Sequence, residues 1–206
     1  MIVAIARELG AGGLAVGEAV ANELGIPLLD KEIVDLVAQR IGAPESYVAQ
    51  RDEQVETFTE RVLRGITAAY PEAMAARALP DWSEQNLVKL TETIIRERAA
   101  GESLVVIGRG APVLLKDRPD VVRVFLTAPA AQRTTSVAAR LGLSNEDALK
   151  EIRRSDQHRA AYYKQHYGVL DWRDPRHYDL VVNTARFGIE GAARMIVDAA
   201  REVVRR

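Results

Sequence analysis

An unbroken apolar run, Ile2 to Ala6, leads into the glycine cluster Gly10-Ala-Gly-Gly13, and a helical repeat begins directly behind it. An apolar run without polar alternation fits a strand buried on both faces of a parallel sheet. Val16, Ala19, Val20 and Leu24 then recur at helical spacing, and Gly25 closes the helix. A strand, a glycine turn and a helix make the first part of a strand–helix–strand unit, so a parallel neighbour must follow.

The rest of the chain repeats that alternation. Pro27-Leu-Leu29 reads as a second short strand, with Asp30 placed as an N-cap before Ile33, Val34, Leu36 and Val37. Residues 44–100 read as helical, divided by Pro44, Pro71 and Pro80 and ended by Gly101. Leu104–Ile107 and Val121–Leu126 are further buried strands, and Ala130–Leu141 is a helix. Ser144-Asn-Glu-Asp147 is a capping box with Asp in place of Glu, opening a helix through the basic segment 150–164. Residues 166–177 read as a loop, Tyr178–Val182 as the last strand and Ile189–Val204 as the last helix. Alternating strands and helices predict an α/β fold with a parallel sheet covered on both faces.

Composition narrows the function. The 206 residues carry a formal net charge of −1, which gives the chain as a whole no attraction for nucleic acid or an anionic membrane. There is no cysteine, which excludes disulfides, thiolate zinc sites and a cysteine nucleophile, and fits a cytoplasmic protein. No apolar run reaches the roughly 18 residues of a membrane span. His158, His166 and His177 are too scattered for a metal site, and no metal ligands are expected.

In a parallel sheet, ligands bind at the carboxyl ends of the strands. The glycine loop, Asp30, the turn Gly108-Arg109-Gly110 and the pair Asn183-Thr184 all fall there. Glycines at the first turn let backbone amides face an anion, and a helix N-terminus adds positive potential. A full phosphate loop ends in Gly-Lys-Ser/Thr, whereas this loop ends in Gly12, Gly13 and Leu14. On these residues alone a phosphate site and a tight strand-to-helix turn stand level. Arg109 is suited to grip a phosphate bidentately, or is a surface arginine in a glycine turn. Arg153, Arg154 and Arg159 lie on one helix, either closing over a polyphosphate or forming a solvated face with pairs such as Asp156–Arg159. Trp172 and Tyr178 are expected to pack, and the turn Arg173-Asp-Pro175 to shape the loop.

Taken together, these segments resemble the cytidylate kinase-like family of phosphate-loop kinases over nearly the whole chain. The resemblance is carried by Ile5-Ala-Arg-Glu-Leu-Gly-Ala-Gly-Gly13, Leu29-Asp-Lys-Glu-Ile33, Val106-Ile-Gly-Arg-Gly110, Val124-Phe-Leu-Thr-Ala128, Ile152-Arg-Arg-Ser-Asp-Gln-His-Arg159 and Tyr178-Asp-Leu-Val-Val-Asn-Thr184, in that order. It implies a three-layer P-loop NTPase fold. The core would comprise residues 1–41, 101–143 and 178–206, with a helical insert over the monophosphate at 42–100 and a helical lid at 144–177.

The resemblance also assigns residues. Gly10, Gly12 and Gly13 would form the phosphate loop, and Asp30 would open the segment that receives the monophosphate nucleotide. Arg109 would hold the acceptor phosphate, and Arg153, Arg154 and Arg159 would cover the migrating phosphoryl group. Asn183 and Thr184 would lie near the donor base. True cytidylate kinases carry lysine where this chain has Gly13, and aspartate where it has Gly110. Arg7, Lys31 or a lid arginine are the candidates to replace the missing charge. The activity implied is transfer of a phosphoryl group from ATP, with Mg²⁺, to a nucleoside monophosphate, CMP first among them. A non-catalytic nucleotide or phosphometabolite sensor on a kinase scaffold is the alternative. Nucleotides are the expected partners, and the apolar pattern of the insert permits a homodimer.

Overall fold

The computed structural model describes residues 1–30, 33, 36, 37, 40 and 84–205. The chain forms two compact units, residues 1–29 with 99–206, and residues 30–98.

The first unit is built on five parallel strands: β1 (Ile2–Arg7), β2 (Leu28–Leu29), β3 (Leu104–Ile107), β4 (Val121–Thr127) and β5 (Leu180–Asn183). Their spatial order is β2-β3-β1-β4-β5. The first strand is therefore central, pairing Ile5 with Ile107 on one side and with Val124 on the other. Chain connections leave β1 and β4 toward opposite edges of the sheet, which opens a crevice beyond their carboxyl ends.

Helices cover both faces. Alternate residues Val3, Ile5, Val105, Ile107, Val124 and Leu126 point into one core with α1 (Gly13–Leu24) and the last helix. On the other face, Ala6 and Phe125 meet Tyr163, Trp172 and Tyr178. Phe125 stacks on Tyr178 with ring centroids 5.1 Å apart and meets Trp172 edge-on at 5.4 Å, so both aromatics pack as the sequence suggests. α1 comes close to the sheet at Gly17, where a Cβ would run into Ile107 Cδ1.

The strands Leu104–Ile107 and Val121–Thr127 fall where the apolar runs place them. After α2 (Glu84–Gly101) and β3, a one-turn helix α3 (Ala111–Leu114) follows, which periodicity does not reveal in so short a segment. Its Pro112 suits a first turn, where a missing N–H costs nothing. α4 (Ala130–Leu141) and α5 (Asn145–Tyr167) fall where helices are expected, α5 running two residues into the segment expected as a loop, while the helical reading of residues 44–83 lies outside the described residues. The cap of α5 is a variant of the expected box: Ser144 accepts from the Asp147 N–H at 3.1 Å, while its hydroxyl donates to the Asp147 carboxylate at 2.7 Å. Residues 178 and 179 stay outside β5, because Tyr178 ends a 3₁₀ turn, Pro175–His177. The last helix, α6 (Thr184–Val204), is interrupted at Gly188 (φ 69°, ψ 179°), so regular helix resumes at Ile189, the start its apolar period gives.

In the second unit, Ile33, Val37, Leu87, Val88, Ile94 and Ile95 are buried. Arg40 donates to Glu97 at 2.7 Å on its exposed side. Among the described residues, no helix is long and apolar enough to cross a membrane.

Candidate functional site

β1 delivers its last residue, Arg7, and the loop behind it to the crevice. The Glu8 N–H still bonds to the Leu126 carbonyl at 3.0 Å, after which the chain turns through Gly10 (φ 85°) and Gly12 (φ 71°). Gly12 caps α1 with no side chain in the way. The first amides of a helix have no intrahelical acceptor, so Gly13 and its neighbours present donors at the positive end of the α1 dipole. The loop is braced from behind by α4. A Cβ on Gly10 would lie 2.7 Å from the Arg133 carbonyl oxygen, and Arg133 Nη1 donates to the Leu9 carbonyl at 3.3 Å.

Arg133 also anchors a charged group beneath the loop. Its Nη1 lies 3.0 Å from Asp156 Oδ2, and its Nε 3.6 Å from Glu8 Oε2. Arg173 contacts the same two carboxylates, at 3.0 Å to Glu8 and 2.7 Å to Asp156. Thr127 donates its hydroxyl to Glu8 at 2.7 Å. Arg159 Nη1 stands 3.7 Å from Asp156 Oδ1. Burial of Arg159, and then the nearby charge of Arg7, pushes its pKa down to about 9. It remains a cation at neutral pH, held where its charge is poorly solvated, and such a group favours an arriving anion.

α5 separates the three arginines that the sequence grouped. Ile152, Asp156, Arg159 and Tyr163 share one helical face, with Ile152 and Tyr163 buried. Arg154 lies on the opposite side, paired with Glu151 at 3.1 Å, and Arg153 is exposed. Of the three, Arg159 is the one brought together with Arg7 and the charged group under the loop.

The turn behind β3 holds three successive residues at positive φ: Gly108 (77°), Arg109 (55°) and Gly110 (68°). A non-glycine residue in this region is strained by about 1 kcal/mol or more, and such strain gathers at binding sites. The turn is held by Tyr167, whose hydroxyl donates to the Arg109 carbonyl at 3.1 Å. Its ring lies directly against Gly110, leaving no room for a Cβ there. This contact restricts position 110 to glycine.

The remaining candidates fall as follows. Asp30 directly follows β2, is half-buried and begins the second unit. Lys31 lies outside the described residues. Asn183 ends β5 level with Thr127 and accepts from the Ala185 N–H at 3.1 Å, capping the last helix. Thr184 donates its hydroxyl to the Thr127 carbonyl at 3.3 Å. Just beyond, Ile189 packs against Gly12, where a Cβ would lie 2.6 Å from Cδ1, so this segment borders the glycine loop.

Three participants are absent from the sequence reading: Glu8, Arg133 and Arg173. Glu8 sits inside the first resembling stretch, but a carboxylate beside a phosphate loop gives no sign of its own. Arg133 lies mid-helix, and Arg173 stands in a turn with Asp174 and Pro175 whose sequence suits it to shaping the loop. Only the fold brings them to one place.

The described residues contain no group of three or more His, Cys, Asp or Glu that could hold a metal. Two carboxylates beside the glycine loop, Glu8 and Asp156, are bound by arginines. This donor set does not fit a protein-caged ion.

The profile of the cytidylate kinase-like family matches residues 2–186. The cytidylate kinase of Thermococcus kodakarensis is 34% identical over 119 residues, 54% of this chain and 60% of that one, so the chain spans about three-fifths of this relative's length. A structure of an uncharacterized protein from Eubacterium ventriosum superposes with a TM-score of 0.71 at 24% identity, covering 98% of both chains. Shikimate kinase from Bacteroides thetaiotaomicron superposes at 0.54 with 17% identity, covering 100% of this chain and 99% of the other. Both share with this chain the fold of a parallel sheet covered on its two faces by helices.

Proposed function

The chain belongs to the cytidylate kinase-like family, and on that footing we propose that it is a kinase transferring the γ-phosphoryl group of ATP to a nucleoside monophosphate, with CMP the first acceptor to try. One observation carries the reading. The glycine loop after β1, the strained Arg109 turn after β3 and the Arg133–Arg159–Arg173 group all stand at the carboxyl ends of neighbouring strands. Phosphoryl transfer asks a protein for positioning and positive charge and little covalent chemistry, and this assembly offers both.

In the proposed reaction the glycine-loop amides hold the donor's β- and γ-phosphates. Arg109 holds the acceptor phosphate so that one of its oxygens lies in line with the γ-phosphorus. A bond forms between that oxygen and phosphorus as the bridge to the β-phosphate breaks, and ADP leaves with the bridging oxygen. Arg159 faces the charge spread over the migrating group, while Arg133 and Arg173 hold Asp156 and thereby the orientation of α5. Mg²⁺ bound to the nucleotide would neutralise charge on the phosphate oxygens. Residues 42–100 would receive the acceptor's nucleoside.

A coupled assay of ADP release with purified protein, Mg²⁺, saturating ATP and a panel of monophosphates tests the proposal. The expected result is turnover with at least one acceptor, CMP foremost. Failure with every acceptor rejects it, and a nucleotide-induced rise in melting temperature without product would identify a binding protein instead.

A further inference from the structure

A kinase phosphate loop normally carries a lysine for the β- and γ-phosphates at the position of Gly13. The space a side chain would fill at Gly13 is not open. A Cβ built there lies 2.5 Å from Arg7 Cγ, 3.1 Å from Arg7 Cβ and 3.2 Å from Arg7 Cδ. Three successive carbons of the Arg7 stem occupy that position. The guanidinium then reaches the next turn, where Nη1 is the first atom a Cβ on Gly108 would strike, followed by Cζ at 3.1 Å. Arg7 thus runs from the donor loop to the turn that carries Arg109.

We infer that Arg7 supplies the cation that a phosphate loop ordinarily takes from lysine at position 13, delivered from the end of β1 and not from the start of α1. The inference rests on the kinase reading and names the residue on which that reading depends. Its geometry favours Arg7 over the exposed Arg153 and the Glu151-paired Arg154. Arg7 is the last residue of the central strand, held by pairing with Leu126, so its backbone is fixed on a rigid element. Its stem lies in a groove made by two glycines, which limits the rotamers to be frozen when phosphate binds. Its charge acts on Arg159, so the two guanidiniums stand near enough to repel. An anion between them relieves that repulsion, and the migrating phosphoryl group is such an anion. A guanidinium also offers a fork of donors to two phosphate oxygens, where lysine offers a point charge.

Five variants test this by exchanging the charge between the two positions: Arg7→Met, Arg7→Lys, Arg7→Ala, Gly13→Lys and the double variant Arg7→Ala with Gly13→Lys. Arg7→Met keeps an apolar stem over Gly13 and is expected to lower kcat by roughly 100- to 1,000-fold. Arg7→Lys should recover part of that loss. Gly13→Lys alone should lose activity, because its side chain meets the Arg7 stem. In the double variant the stem is gone, and the new lysine should restore kcat at least about tenfold above Arg7→Ala alone, a non-additive result that a purely structural role for Arg7 does not give.

Arg7→Met within about threefold of the wild type in kcat and in ATP affinity overturns the inference and leaves the kinase reading standing. So does a double variant no better than Arg7→Ala. The ratio of ATP to AMP affinity, measured by calorimetry on the wild type, Arg7→Met and Arg7→Lys, gives a second readout independent of turnover. A ratio that collapses in Arg7→Met and partly returns in Arg7→Lys supports the inference. Equal ratios overturn it. A wild type that binds neither nucleotide overturns both the inference and the kinase reading.

Discussion

Arg133 and Asp156 meet between two helices, Nη1 to Oδ2 at 3.0 Å, with 8% and 13% of their side chains exposed. The pair ties α4 to α5 directly beneath the glycine loop. Because Arg133 also bonds to the Leu9 carbonyl, one guanidinium sets both the height of the loop and the position of the helix that carries Arg159.

Removing Arg133 should therefore destabilise the fold. Arg133→Met leaves Glu8 and Asp156 with Arg173 as their shared counter-ion, and a buried pair broken on one side costs about 3–5 kcal/mol. The lower end of that range is expected, since Arg173 stays in place. Chemical denaturation of wild type and variant measures the difference, and a loss below about 1 kcal/mol would contradict the role assigned to Arg133.

Gly110 and Tyr167 should behave as one unit. Gly110→Ala forces a Cβ into the Tyr167 ring at a positive φ, and is expected to cost about 2–4 kcal/mol. Combining it with Tyr167→Ala should recover more than about 1 kcal/mol relative to the sum of the single variants. Additive losses in a double-mutant cycle would show that the ring does not set the residue at 110.

Arg109→Gly separates binding from folding. Glycine relaxes the φ of 55°, so stability should change by less than about 1 kcal/mol. Loss of charge-assisted hydrogen bonds to the acceptor phosphate should raise its KM by about 10- to 100-fold. A large stability loss with unchanged KM would make Arg109 structural.

Alkaline pH should weaken the fold through the aromatic core. Burial pushes the Tyr163 phenol from its ordinary value of 10.0 up to about 12, and burial likewise raises Tyr178. The folded values lie above the unfolded one, so this contribution is whole below about pH 10 and is lost as pH climbs toward about 12. For Tyr163 the full gap is worth roughly 3 kcal/mol. Tyr163→Phe should flatten this part of the stability–pH curve, measured by denaturant titration at pH values on either side of 10. An unchanged slope would place the alkaline sensitivity elsewhere.

The sheet was legible because buried parallel strands are apolar on both sides. Leu104–Ile107 and all but the last residue of Val121–Thr127 emerge from their apolar runs, and Gly25 and Ser144 mark helix ends through local backbone chemistry that needs no distant partner. The site was legible as a set of strand ends and no further. Nothing local tells Arg159 from Arg154. Their separation depends on Ile152 and Tyr163 turning one face of α5 toward the core. Glu8, Arg133, Asp156 and Arg173 form one group only after four segments have folded together. Gly13 and Gly110 stand out in the sequence as bare positions in two turns, yet the residues that fill their space, Arg7 and Tyr167, lie in other elements.

The Arg7 stem over Gly13 also bears on how such a chain can evolve. A lysine gained at position 13 collides with the resident arginine, and an arginine lost first leaves the loop without either side chain. If Arg7 is the phosphate cation, each single step lowers activity, and only a paired exchange leads from the arginine-bearing arrangement to a lysine-bearing one.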